Sequence, residues 1–146
     1  MDIKYEKKQE IIDELKQSIR SFNDEHSPYH KASRQDGYVK HILITEKDEK
    51  KLVAGLSARM YWQMIYLDEF FVSPHKRHSG IGSKMLRKLI EIASQAEVDF
   101  ICLETFSFQA RTFYEKFGFY VIGEIKDYPP GESMYTMRLN LKHLET

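Results

Sequence analysis

The chain has 146 residues, 42% of them hydrophobic, which suffices for one core and is short for two independent domains, so a single domain over 1–146 is expected. Lys plus Arg and Asp plus Glu balance at 22 each, so no whole-molecule field would hold the chain on nucleic acid or an anionic membrane, and any anion site has to be local. Cys102 is the only cysteine, which rules out an intrachain disulfide and reads as a buried structural residue; the charged start Met1–Glu10 and the lack of any apolar run near ~20 residues argue against a secretory signal or a membrane span, and the cytoplasm is the expected compartment.

Residues 1–5 read as a short strand, and Ile11, Ile12, Leu15, Ile19 and Phe22 then recur at helical spacing in a helix ending near His26 to Pro28. Residues 29–37 show no apolar periodicity and read as an irregular surface segment. Strands are predicted over 38–45, 52–62 and 65–72, with a charged turn at 46–50, and together they suggest an antiparallel meander.

After Pro74 the pattern changes. Ile81, Met85, Leu86, Leu89, Ile90 and Ala93 mark a helix that begins near Gly80, and Phe100 to Thr105 forms a compact apolar strand after it. Strand, helix, strand is the unit that allows parallel pairing. A short helix over 108–117 is closed by Gly118, and strands over 120–125 and 134–141 flank the loop Asp127-Tyr128-Pro129-Pro130-Gly131. The fold class expected is α/β, with a mixed, mainly antiparallel central sheet and flanking helices.

Between Ser73 and Ile90 stand Lys76, Arg77, Lys84, Arg87 and Lys88 with His75 and His78, and no Asp or Glu. Gly80 and Gly82 open the helix, whose first amides lack intrahelical partners, so a phosphate or pyrophosphate can approach without meeting a side chain. Arg77 complements the negative charge, with Lys84 or Arg87 near any further phosphate. The stretch lacks the third glycine of a dinucleotide-binding fingerprint and the Gly-Lys-Ser or Gly-Lys-Thr of a Walker loop.

Arg77-His78-Ser79-Gly80-Ile81-Gly82 resembles the Arg or Gln, any two residues, Gly, any residue, Gly or Ala pattern of the GCN5-related N-acetyltransferase (GNAT) superfamily. A second block, Ala110 to Phe119, resembles its Ala, Tyr four residues later, and Gly-Phe ending. The likeness covers most of residues 38–139. It implies a GNAT-like acyl coenzyme A-binding fold in which the glycine turn and the following helix, Arg77 through Ser83, grip the pyrophosphate of acetyl coenzyme A, and splayed strands receive its pantetheine arm. It further implies that Tyr114 supplies a proton to the departing thiolate, that a backbone amide at Phe71 or Val72 steadies the oxyanion, and that Ala110 lies along the coenzyme. Ser107 stands where many relatives have Asn; its hydroxyl is expected to cap the helix or bond the coenzyme.

Glu69, near the outgoing end of its strand, is the candidate to deprotonate an ammonium substrate, with Asp68 and Glu104 as alternatives. No metal is needed. The function implied is acetyl transfer from acetyl coenzyme A to a primary amine of a small molecule, by direct attack in a ternary complex, with peptide amines second; the alternative is a non-catalytic acyl coenzyme A sensor. A homodimer is compatible with the sequence. Tyr29, Tyr38 and Tyr128 are candidates for stacking on an acceptor.

Overall fold

The structure, a computed structural model, describes residues 1–141; residues 142–146, the end of the expected domain, lie outside the described residues. Two compact units divide the chain, Met1–Tyr38 and the part from Val39 onward.

The first unit holds α1 (Gln9–His26) and α2 (Pro28–Ser33). α1 follows the predicted periodicity. The strand expected over 1–5 is absent: Ile3 is 73% exposed and Tyr5 fully so, and two apolar residues among charges bury nothing that could fix an extended segment. The irregular segment expected after Pro28 is instead helical at its start. Ser27 is the N-cap, its Oγ accepting the His30 amide at 3.2 Å, and Pro28 occupies the first turn, where its missing N–H costs nothing.

The second unit is a six-stranded sheet in the order β1-β2-β3-β4-β6-β5. β1 (Lys40–Asp48), β2 (Lys51–Tyr61) and β3 (Met64–Val72) form the expected antiparallel meander, with β1 running through most of the predicted charged turn. Trp62 and Gln63 join β2 to β3 with φ of 46° and 62°, the sign pattern of a type I′ hairpin. α3 (Ile81–Gln95) crosses over to β4 (Phe100–Phe106), which lies parallel to β3; after the short helix α4 (Arg111–Glu115), β5 (Tyr120–Lys126) and β6 (Ser133–Asn140) complete the sheet, β6 antiparallel to β4 and β5 antiparallel to β6 at the edge. The mixed, mainly antiparallel sheet with flanking helices is as expected.

The core lies where α3 meets the sheet. Leu56 and Ala58 of β2, Ile65 and Leu67 of β3, and Ile101 and Leu103 of β4 alternate inward against Met85, Leu86, Leu89 and Ala93, all at most 5% exposed. Each large side chain so buried contributes roughly 1.5–3 kcal/mol. The intervening strand residues face the opposite side of the sheet. Cys102 is among them and is half-buried rather than fully buried as expected, with its thiol pushed up mainly by desolvation.

One local irregularity positions everything that follows. β3 pairs with β2 as far as Val72, yet Ser57 opposes Glu69 while Ala58 opposes Leu67, so Asp68 is an extra residue in β3. Such a bulge bends and twists its strand. β3 and β4 are paired only from Met64↔Phe100 to Leu67↔Leu103, and past that point they form a fork. β4 stays paired to β6 through Phe106, so the edges of β3 and β4 that face each other across the fork have no strand partner.

Candidate active site

One side of the fork is assembled from glycine, backbone and aromatic rings. After β3 a short 3₁₀ turn, Pro74–Lys76, reverses the chain, and His78 and Gly80 adopt φ of 65° and 84° before α3 starts. Gly80 is the N-cap and carries no side chain to satisfy the helix, so the amides of Ile81, Gly82 and Ser83 face outward without a backbone acceptor among the described residues. Arg77 Nε donates to the Val72 carbonyl at 3.2 Å and ties the turn to the strand end, while the Ser79 hydroxyl donates to the Lys76 carbonyl.

Gly82 sits directly against β3 and α4. A Cβ at that position would stand 3.4 Å from Val72 Cγ2 and 3.8 Å from Phe113 Cζ. The turn, the end of β3 and α4, far apart in sequence, therefore meet at one place.

The Gly-Phe ending of the second block has a physical explanation. The Gly118 amide donates to Glu115 O at 3.0 Å and the Phe119 amide to Tyr114 O at 3.3 Å, with Gly118 at φ 97°. This is a Schellman close, and its usual apolar contact is here Phe119 against Tyr114, ring centroids 5.7 Å apart. Tyr114 is 7% exposed, and its ring also meets Phe113 at 5.4 Å and Phe70 of β3 at 6.5 Å. Burial pushes its phenol up to about 12, so it holds its proton firmly at neutral pH. The amide of Ala110, the α4 N-cap, donates to the buried Thr105 Oγ1 at 3.4 Å.

The opposite face of the fork carries the charges. Glu69 is exposed; it follows the bulge and alternates with Phe70, whose ring packs on Tyr114, so Glu69 and Tyr114 flank the opening from opposite sides of the sheet. Phe71, 52% exposed, shares the Glu69 face, and Val72 lies toward Gly82. Asp68 is held by Arg59 in a bidentate pair, with Nε at 2.9 Å and NH2 at 2.7 Å. Glu104, the first β4 residue beyond the paired region, accepts a hydrogen bond from Tyr66 of β3, whose phenol is raised by desolvation and by that bond.

Ser107 does not cap α4 here. Its hydroxyl donates to the Glu132 carboxylate and accepts the Ser133 amide at 2.9 Å. A hydroxyl has one proton, so in this structure Ser107 has none to give a coenzyme. Sequence reasoning did not find the Tyr66–Glu104 and Arg59–Asp68 pairs, because each depends on strand register; the only signal for them was an ionisable residue on the polar side of a strand. Among the described residues no three His, Cys, Asp or Glu side chains gather as a metal site, and no helix is long and apolar enough to cross a membrane.

A cleft of about 550 Å³ lies between β1 and α3 and reaches the start of that helix, lined among others by Ile44, Glu46, Ile81, Lys84 and Arg87.

Comparison with known proteins places the chain in a family and a fold. The family model described as "Acetyltransferase (GNAT) family" matches residues 8–119. A blasticidin-S acetyltransferase of Streptomyces morookaense is 28% identical over 123 residues, covering 77% of this chain and 88% of that one. Among solved structures, an acetyltransferase from Bacillus cereus superposes with a TM-score of 0.78 at 26% identity, over 97% of this chain and 99% of the other. Arabidopsis thaliana Naa50 in complex with the bisubstrate analogue CoA-Ac-MVNAL superposes with a TM-score of 0.60 at 21% identity, over 68% and 72%.

Proposed function

The chain belongs to the acetyltransferase (GNAT) family and with it to the acetyl coenzyme A-dependent acyltransferases, and from that premise we propose that it transfers the acetyl group to a primary amine of a small molecule by direct attack in a ternary complex. The observation that carries this reading is the fork: β3 and β4 part after Leu67 and Leu103, with a bare helix start at one end and Tyr114 and Glu69 on its two sides.

The donor fits the residues present. Outward amides at Ile81, Gly82 and Ser83 suit a pyrophosphate, supported by Arg77, and the unpaired edge of β3 suits an amide-bearing arm that adds to a sheet. Acetyl coenzyme A supplies an activated acyl group. Glu69 receives the ammonium proton, directly or through water, so that the amine nitrogen carries a lone pair. An amide at Phe71 or Val72 steadies the negative oxygen as the nitrogen–carbon bond forms. As the carbon–sulfur bond breaks, the Tyr114 hydroxyl gives its proton to the sulfur and regains one, through water, from the nitrogen that becomes the amide, while Glu69 passes the ammonium proton to solvent.

A small-molecule acceptor is supported by the likeness to blasticidin-S acetyltransferase, whose length the match nearly spans. The same reading keeps the protein in the cytoplasm, with its acyl donor. The test is a panel of primary amines incubated with acetyl coenzyme A, followed by mass spectrometry for products one acetyl group heavier and by release of free coenzyme A. Both signals together are expected. Tight coenzyme binding with neither signal would favour a sensor instead.

A further inference from the structure

Three aromatic rings are stacked beside the open end of β4. Phe106, the last residue of that strand, lies 5.5 Å from Phe108 with planes 9° apart, and 6.2 Å from Tyr128 with planes 23° apart. The outer two rings are 62% and 52% exposed. Polar ties hold them in place: Ser107 bridges Glu132 and Ser133, its own amide donates to Ser133 O at 2.8 Å, and the Tyr128 amide donates to Glu132 O at 3.2 Å. The stack therefore holds its two outer rings, Phe108 and Tyr128, preorganised and open to solvent on either side of Phe106.

Its position gives it a use. Phe106 and Glu104 share one face of β4, two residues or roughly 7 Å apart along the strand. Glu104, steadied by Tyr66, is at the fork, and Glu69 stands on the same face of the sheet across the opening. An anionic position and a π-faced shelf thus occur side by side where an acceptor amine would enter.

Building on the acetyl-transfer reading above, we infer that Phe106, Phe108 and Tyr128 form the acceptor subsite, and that this subsite selects cationic amines carried on a planar aromatic or heteroaromatic ring. The ring lies on the shelf while the ammonium group meets Glu104. Stacking of a flat ring on an aromatic side chain is sensitive to planarity in a way that simple apolar burial is not.

Phenethylamine and cyclohexylethylamine make the direct test, because they share carbon count and charge and differ in planarity. The parent protein is expected to favour phenethylamine by about tenfold in kcat/KM, and tryptamine more. Phe108→Ala should bring the two amines close to parity, and Phe108→Trp should keep the preference. Equal kcat/KM for the planar and saturated amines in the parent, or a preference that survives Phe108→Ala, overturns the shelf while acetyl transfer stands. A binding readout separates the two readings: saturation-transfer NMR of tryptamine with coenzyme A present should show contact that Phe108→Ala weakens. That contact without any acetylated product would keep the shelf and overturn the transfer reading.

Discussion

The two sides of the fork are built from different materials. On the coenzyme side, the parts that would meet the ligand are backbone: the amides opening α3, the free edge of β3, and two glycines that keep side chains away. On the opposite side they are side chains from separate elements, Tyr66 and Glu69 of β3, Glu104 and Phe106 of β4, Phe108 after it, and Tyr128 between β5 and β6. A site made of backbone needs particular residues at fixed local spacing, and so leaves a motif. A site made of side chains needs only that distant positions arrive together, so it leaves little trace and is free to vary in the ligand it accepts.

The largest effect that would sharpen this contrast is expected at Gly82. Its surroundings accept a Cβ at ordinary contact distance, so Gly82→Ala should be mild, whereas Gly82→Asp brings a negative charge among the outward amides. Calorimetry should show acetyl coenzyme A binding weakened on the order of 10²-fold for Asp, with the melting temperature confirming the fold. Equal affinities for Gly, Ala and Asp would remove the turn from the coenzyme site.

Next comes Tyr114, whose ring is packed in the core and whose hydroxyl is the proposed proton donor. Tyr114→Phe keeps the contacts to Phe70, Phe113 and Phe119, so the coenzyme Kd should hold while single-turnover acetyl transfer drops about 10²-fold. Unchanged single-turnover rates across several amines would return Tyr114 to packing alone.

On the charged side a smaller change is expected. Glu69→Gln should lower kcat/KM about tenfold and move its acid limb, and Glu104→Gln should act mainly on KM for cationic amines. If only the Glu104 variant alters the pH profile, the proton acceptor is on β4 instead.

The smallest effect concerns stability. The unfolded chain ionises Tyr114 near 10 while the folded chain holds that proton to about 12, so stability is full below about pH 10 and falls as pH climbs toward 12. The loss from this residue is about 1 kcal/mol by pH 11, and Tyr66, raised in the same direction, adds to it. Urea midpoints of the parent should fall more steeply with pH than those of Tyr114→Phe; parallel slopes would contradict the burial of the phenol.

How much of this was legible follows the same division. The crossover from β3 through α3 to β4 was readable because each element carries its own period and the glycines mark the boundary. α2 was not read from the sequence although Ser27-Pro28 is a helix-start signal, because proline serves equally at a helix end. The bulge at Asp68, which separates Glu69 from its neighbour's face and opens the fork, has no mark in the residues around it. Nor does the tie between Ser107 and Glu132, which joins segments that only the return of β6 beside β4 brings together.

The central claim is that the coenzyme enters the fork between β3 and β4, and amide NMR during titration with coenzyme A tests it most directly. The amides of Ile81, Gly82 and Ser83 at the start of α3, with Phe71 and Val72 at the end of β3, should shift together and saturate at one Kd. The account is contradicted if those signals stay still while Ile44, Thr45, Glu46 and Lys88, around the cleft between β1 and α3, move in their place.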